Sequence, residues 1–343
     1  LYEGFYRLQD HPFRLTADPA YICLTAQHRE ALAGLVYSIR TRLGLVVLIG
    51  EAGTGKTTLL RTLTDLFDGR SFVLARCNNP TLSREEFYDL LLAELGVECA
   101  SSLKSRQLRA LQEALMRFRD AGRSAVLIVD EAQRLPLELL EEIRLLLNLE
   151  TPREKLLQIV MAGQPELGDT LARPELRQLK QRVSAFCRLE PLSADDVREY
   201  LQHRLSKAGL PGQKLFPEEI VGLIYSYTQG IPRLVNSLCD AALQTGFALQ
   251  SPVITASIVQ EAAGDLELPD GGEGLAKTES SGSDHSKVIT MPAVSPESKL
   301  IQSHPQTELK GDGGNADERM PLEGYASRQK SLGFFGHLLD RWK

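Results

Sequence analysis

The sequence predicts an α/β protein: a mostly parallel sheet with helices on both faces, followed by a small all-helical domain and a disordered C-terminal tail. Three observations lead there. Between residues 41 and 191, short apolar runs alternate with segments of helical apolar spacing, the pattern of strands joined by helical crossovers. From 192 to 263 helical spacing continues alone. From 264 to 330, Gly, Ser, Pro and isolated charges dominate and aromatics are few. Such a segment cannot bury enough apolar surface to offset chain entropy.

Residues 1–40 read as an N-terminal arm followed by a helix over 27–40. The apolar run 43–50 ends in glycine and fits a buried strand. A helix is expected over 56–67 and a second strand over 71–77. Apolar spacing predicts helices over 83–96 and 104–121, then a third buried strand over 125–129. Pro136 introduces a helix over 138–149. Fourth and fifth strands are expected over 156–162 and 184–189, completing a domain over 41–191. Ser193 then precedes Asp195 and Asp196, an N-cap followed by acids that suit a helix start. Helices over 194–208, 217–228, 232–248 and 255–263 make the second domain, 192–263. Beyond the tail, residues 331–343 carry Leu332, Phe334, Phe335, Leu338, Leu339 and Trp342, which would share one helical face.

Composition narrows the function classes. Of 343 residues, 43% are hydrophobic and 24% charged, the balance of an ordinary globular protein. The net charge of −6 does not suggest a general polyanion binder, although a local basic face remains compatible with it. Five scattered cysteines without a CxxC pair argue against a disulfide framework or a zinc site. No run approaches the roughly 18 apolar residues of a membrane span, and the first residues lack a secretory signal layout. A cytoplasmic protein is expected.

The strongest motif is Gly50-Glu51-Ala52-Gly53-Thr54-Gly55-Lys56-Thr57-Thr58. It has the spacing G-x-x-x-x-G-K-[ST], directly after an expected strand and before an expected helix, the context a phosphate-binding P-loop requires. Its glycines let backbone N–H groups curl around phosphate oxygens, and the helix presents its positive end to the same anion. Lys56 is expected to reach the β- and γ-phosphates of ATP, and Thr57 to ligate Mg²⁺. The third strand ends in Asp130 and Glu131. Asp130 would hold Mg²⁺, and Glu131 would act as general base on the attacking water. A lone Asp supports binding; the added Glu points to hydrolysis.

With both motifs placed, the chain resembles the AAA+ ATPases, and among them the ExeA-like family of the general secretion pathway protein A type. The resemblance is carried by Phe5-Tyr6-Arg7-Leu8 with Pro12-Phe13, and by Gln27-His28-Arg29-Glu30-Ala31-Leu32. It continues through Asp130-Glu131-Ala132-Gln133, Asn148-Leu149-Glu150-Thr151 and Leu156-Leu157-Gln158-Ile159. Gly163-Gln164-Pro165-Glu166-Leu167, Arg173-Pro174-Glu175-Leu176-Arg177-Gln178-Leu179 and Gly230-Ile231-Pro232-Arg233-Leu234-Val235-Asn236 complete it. It covers residues 1–263. Some members carry a membrane span and a peptidoglycan-binding module; neither is visible here, and the layout looks more like members associated with exosortase and exopolysaccharide loci.

The resemblance implies an AAA+ core with a helical lid. It places Gln164 as a sensor against the γ-phosphate and Arg233 as a second sensor in the lid. It places Arg177 or Arg182 as an arginine finger, acting in trans in a homo-oligomer. Plainer roles compete: a loop hydrogen bond for Gln164, a helix cap or ion pair for Arg233, a solvated cationic face for the stretch 173–188. The segment 21–40 is expected to supply adenine contacts, with His28 either beside the base or on the surface. The implied role is a motor or switch for envelope secretion or exopolysaccharide export, peripheral at the inner membrane through a partner. Residues 331–343 would be its docking peptide. The rival is a DNA-associated ATPase resembling transposition helper proteins, with the basic stretch on phosphates; a nucleotide-regulated scaffold with little turnover is disfavoured by Glu131.

Overall fold

The computed structural model describes residues 2–16, 21–67, 69–78, 81–210 and 215–269. The expected tail and docking peptide lie outside these, except that 264–269 continue the last helix and its exit. The sheet comprises β1 (Leu45–Gly50), β2 (Phe72–Cys77), β3 (Ser124–Val129), β4 (Leu157–Gly163) and β5 (Val183–Leu189). Its order is β2-β3-β4-β1-β5, and every pairing is parallel. Each expected strand is present.

The central strands β1 and β4 are buried at every position. That is why they read as near-continuous apolar runs rather than alternating ones, interrupted in β4 only by the buried Gln158. Successive side chains still go to opposite faces. Val47, Ile49, Leu127, Val129, Ile159 and Met161 enter one core, under α4 (Arg84–Glu94), α5 (Lys104–Asp120), α6 (Leu137–Leu146) and α7 (Pro165–Leu171). Val46, Leu48, Val126, Ile128, Val160 and Ala162 enter the other, under α2 (Ala26–Arg40) and α3 (Lys56–Asp65). β5 is an edge strand, and Ser184, Phe186 and Arg188 along it are exposed.

Helix ends follow local chemistry. Ser83 and Glu86 form a capping box at the start of α4, and Ser193 and Asp196 form one at the start of α9 (Ala194–Lys207). The helix expected over 138–149 stops earlier, because the N–H groups of Asn148 and Leu149 bond to Leu145 and Leu146, three residues back. Such bonds tighten the last turn and end it. Three short helices were not foreseen: α1 (Tyr2–Tyr6), α7 and α8 (Arg177–Lys180). Each is too short for periodicity to register.

The remaining helices, α9, α10 (Glu218–Thr228), α11 (Pro232–Ala248) and α12 (Ala256–Asp265), close on a separate core. The N-terminal arm belongs to it. Tyr2, Tyr6, Leu8, Phe13 and Tyr21 are buried there beside Val197, Leu238 and Ile258. Arm, sheet and lid helices fall within one compact unit, Leu1–Thr278. The chain therefore crosses from lid to sheet ahead of α2 and returns after β5. At that point the Gln27 amide bonds both backbone groups of Glu190, at 2.9 and 3.0 Å.

Candidate functional site

Strands β3, β4 and β1 are neighbours, so their C-terminal ends open side by side. Ile49 is level with Gly163, and Val129 with Met161. The loop after β1, the acids after β3 and Gln164 after β4 therefore meet at the sheet edge where open α/β folds hold ligands. A cavity of about 520 Å³ lies there. It is lined by residues 52–58, Glu131 and Gln164 from the sheet side, and by Pro232, Arg233 and Asn236 from the lid.

The loop has the shape of an anion cradle. Gly53 and Gly55 sit at φ 84 and φ 100, and Gly55 is the N-cap of α3. The first N–H groups of a helix have no partner within it and carry its positive end. Lys56 Nζ donates to the carbonyls of Gly50 at 2.8 Å and Glu51 at 2.9 Å. Two of the three ammonium donors thus rest on the loop itself. Burial pushes the Lys56 ammonium below the usual lysine range, opposed by the attraction of Glu131 and Asp130.

The acids sit opposite. Thr57 Oγ1 donates to Asp130 Oδ2 at 2.8 Å, and the Asp130 N–H is anchored on the Cys77 carbonyl at 3.1 Å. A hydroxyl and a carboxylate side by side are the hard oxygen donors Mg²⁺ takes. Among the described residues there is no group of three or more His, Cys, Asp or Glu suited to a metal ion. An ion here would rely on water and phosphate for its other ligands, as Mg²⁺ does.

Glu131 occupies the left-handed region at φ 54, unusual for a residue with a side chain. Its Oε2 accepts from Gln133 Nε2 at 2.7 Å, and Gln164 Nε2 lies 3.5 Å away. Gln133 Oε1 in turn accepts the backbone N–H of Gln164 at 3.1 Å. Gln133 therefore ties the carboxylate of Glu131 to the end of β4. Sequence reasoning placed Gln133 only within a motif; its position two residues after Glu131 was the available signal.

The lid closes the cavity from above. The Arg233 N–H donates to the Gly53 carbonyl at 3.3 Å, at the start of α11. A Cβ on Gly53 would stand 2.8 Å from Arg233 Cβ. Gly53→Ala is therefore expected to destabilise the protein by roughly 1–2 kcal/mol through its positive φ alone, and to loosen the lid contact. Chemical denaturation and nucleotide titration measure both effects, and wild-type values in each would contradict this reading.

Aromatic and cationic groups line the far end. Tyr21, Ile22 and Cys23 reach the cavity from the segment ahead of α2 rather than from the helix itself. Arg204 lies between the Tyr21 and Tyr200 rings, 5.2 and 5.3 Å from their centroids. It donates to the carbonyls of Pro12 at 2.6 Å and Arg14 at 3.2 Å. Nothing in the local pattern separates Arg204 from its helix's other basic residues; the arm folding over it does. His28 lines the same cavity and is not on the surface. It is buried beneath the loop, its Nε2 3.2 Å from the Thr54 carbonyl.

Arg177 and Arg182 do not line the cavity. Arg177 opens α8 and is exposed; Arg182, ahead of β5, is half-buried. Arg182 acts on Glu150, whose carboxyl is held below its usual range first by the Lys155 hydrogen bond and then, more weakly, by Arg182. Among the described residues no helix is long and apolar enough to cross a membrane.

Comparison with known proteins agrees with this fold. The model of an AAA domain matches residues 39–171. General secretion pathway protein A of Aeromonas hydrophila is 38% identical over 264 residues, which are 77% of this chain and 48% of that protein. The chain thus spans about half the length of this relative. Among solved structures, Cdc6p from Pyrobaculum aerophilum aligns with a TM-score of 0.53 at 17% identity, covering 77% of this chain and 70% of that one. The ADP form of the Aeropyrum pernix ORC2 protein aligns with 0.54 at 15% identity, covering 71% and 69%. At such identities these two likenesses speak for the fold alone. With a parallel sheet, a P-loop and a helical lid in place, the chain belongs to the AAA+ proteins and is an ExeA-like member, similar over 264 residues to general secretion pathway protein A.

Proposed function

We propose that the chain hydrolyses ATP with Mg²⁺ in the cavity between sheet and lid. One observation carries this reading: Lys56, Thr57 and Glu131 line a single cavity although they come from different parts of the chain, and Asp130 is hydrogen-bonded to Thr57 behind it. Bound Mg²⁺ would neutralise charge on the phosphates. The loop N–H groups and Lys56 would bind and orient the triphosphate. Glu131 would take the proton of the attacking water, and Gln164 would orient that water or the γ-phosphate. Arg233 would report the phosphate state to the lid. Magnesium-dependent release of phosphate from ATP by the purified chain is the direct measurement, and its absence from folded protein would overturn the proposal.

The finger residues imply an assembly. Because Arg177 and Arg182 lie away from their own subunit's cavity, a neighbour would supply one of them in trans, making the active unit a homo-oligomer. Mixing Arg182→Ala or Arg177→Ala protein with Glu131→Gln protein is then expected to recover activity that neither has alone. Mixed assemblies would contain sites in which an intact Glu131 meets an intact arginine from its neighbour. Failure of both mixtures would remove the trans model.

In the cell we propose a motor or switch for envelope secretion, or for exopolysaccharide export, working in the cytoplasm and reaching the inner membrane through a partner. The likeness to general secretion pathway protein A supports the secretion side. The second reading, a DNA-associated ATPase, is favoured by Arg173, Arg177, Lys180 and Arg188, which are exposed and, among the described residues, in no ion pair. A DNA titration at rising salt separates the two, since phosphate contacts lose affinity steeply with salt.

A further inference from the structure

His28 stands on the first turn of α2, and both of its ring nitrogens are engaged. Nδ1 lies 2.7 Å from the Thr25 hydroxyl, and Nε2 lies 3.2 Å from the Thr54 carbonyl. A carbonyl only accepts, so Nε2 carries the proton and Nδ1 accepts from Thr25 in the neutral ring. Burial favours that neutral ring.

The bonded carbonyl belongs to the peptide between Thr54 and Gly55. A trans peptide unit points its C=O and N–H in opposite directions. Holding the carbonyl on His28 therefore turns the Gly55 N–H away from α2 and into the cradle. This peptide, like that between Ala52 and Gly53, is prone to flip because a glycine follows it. A flip changes ψ of Thr54 and φ of Gly55, and glycine accepts either sign of φ at little cost. The flipped form would aim a carbonyl oxygen at the phosphates. His28 also packs against Gly55, where a Cβ would lie 3.4 Å from Nε2.

We propose that His28, oriented by Thr25, is a positioning residue for the phosphate cradle: it locks the Thr54–Gly55 peptide with its N–H toward the bound anion. The proposal rests on the reading of the cavity as a triphosphate site. It assigns His28 to the phosphates rather than to the base.

The test is a pair of competition titrations with magnesium present, one with ATP and one with tripolyphosphate, which has no base. His28→Ala is expected to weaken both ligands by the same factor, on the order of 10-fold, the scale of one lost hydrogen bond. The loss should fall on KM rather than kcat. His28→Gln, whose side-chain N–H reaches the same carbonyl, should recover most of the affinity. A purely structural role would lower Tm in both variants without this rescue. Should His28→Ala fail to fold, Thr25→Val, which removes only the orienting hydroxyl, is expected to weaken both ligands a few-fold. Unchanged tripolyphosphate affinity in a folded variant overturns the proposal, and so does a loss confined to ATP. Failure of the wild-type protein to bind either ligand would instead overturn the nucleotide reading beneath it.

Discussion

Lys56→Ala is expected to abolish useful nucleotide binding while leaving the fold in place. Hydrogen bonds to charged groups contribute about 1.5–3 kcal/mol each. Turned from the Gly50 and Glu51 carbonyls toward phosphate, the ammonium would supply two of them, or roughly 3–6 kcal/mol. At about 1.4 kcal/mol per tenfold, Kd should rise on the order of 10²–10⁴-fold. The substitution also removes a buried charge whose protonated form is disfavoured by desolvation, so the unliganded protein should lose little stability. Thermal melts with and without Mg–ATP read both effects. Wild-type protein at a hundredfold excess over Kd should gain about 2.7 kcal/mol from the ligand. The variant should gain almost nothing, and an undiminished ligand-induced rise in Tm would refute the role of Lys56.

Glu131→Gln should separate binding from chemistry. The amide has nearly the same shape and can still meet Gln133 and Gln164, but it cannot take a proton from water. General-base catalysis contributes about 10²–10⁴-fold, so kcat should fall by that order while Kd for ATP stays within about threefold, because Lys56 and the Thr57–Asp130 pair are untouched. The strained backbone points the same way: residues held at positive φ persist where surrounding structure enforces them, often at working sites. Single-turnover phosphate release beside equilibrium ATP binding makes the comparison. Unchanged turnover would remove Glu131 as the base; lost binding would show that its carboxylate holds the loop instead.

The strands were legible because β1, β3 and β4 are buried on both faces, leaving short, nearly continuous apolar runs that glycine or acid ends. The helices were legible from their periodicity, and the start of α9 from Ser193 with its acids. What escaped was short or borrowed. α7 and α8 have too few turns to show a period. Gln133 and Arg204 take their meaning from groups remote in sequence: the end of β4 for one, the arm's carbonyls for the other. The burial of His28 escaped for the same reason, since nothing near it in the chain announces the Thr54 carbonyl.

By itself the sequence determined what depends on neighbours along the chain. It set the loop that curls around an anion, the strand tip that presents Asp130 and Glu131, and the alternation of strand and helix. Spacing decides these, because backbone conformation and side-chain period are local properties. Only the tertiary structure decided that β4 inserts between β3 and β1, which brings Gln164 to Glu131 and both acids to Lys56. It alone decided that the arm joins the lid and that α2 braces the loop from below. Those placements come from burying two faces of one sheet and a separate helical core at once, and no local pattern records which distant surfaces will meet.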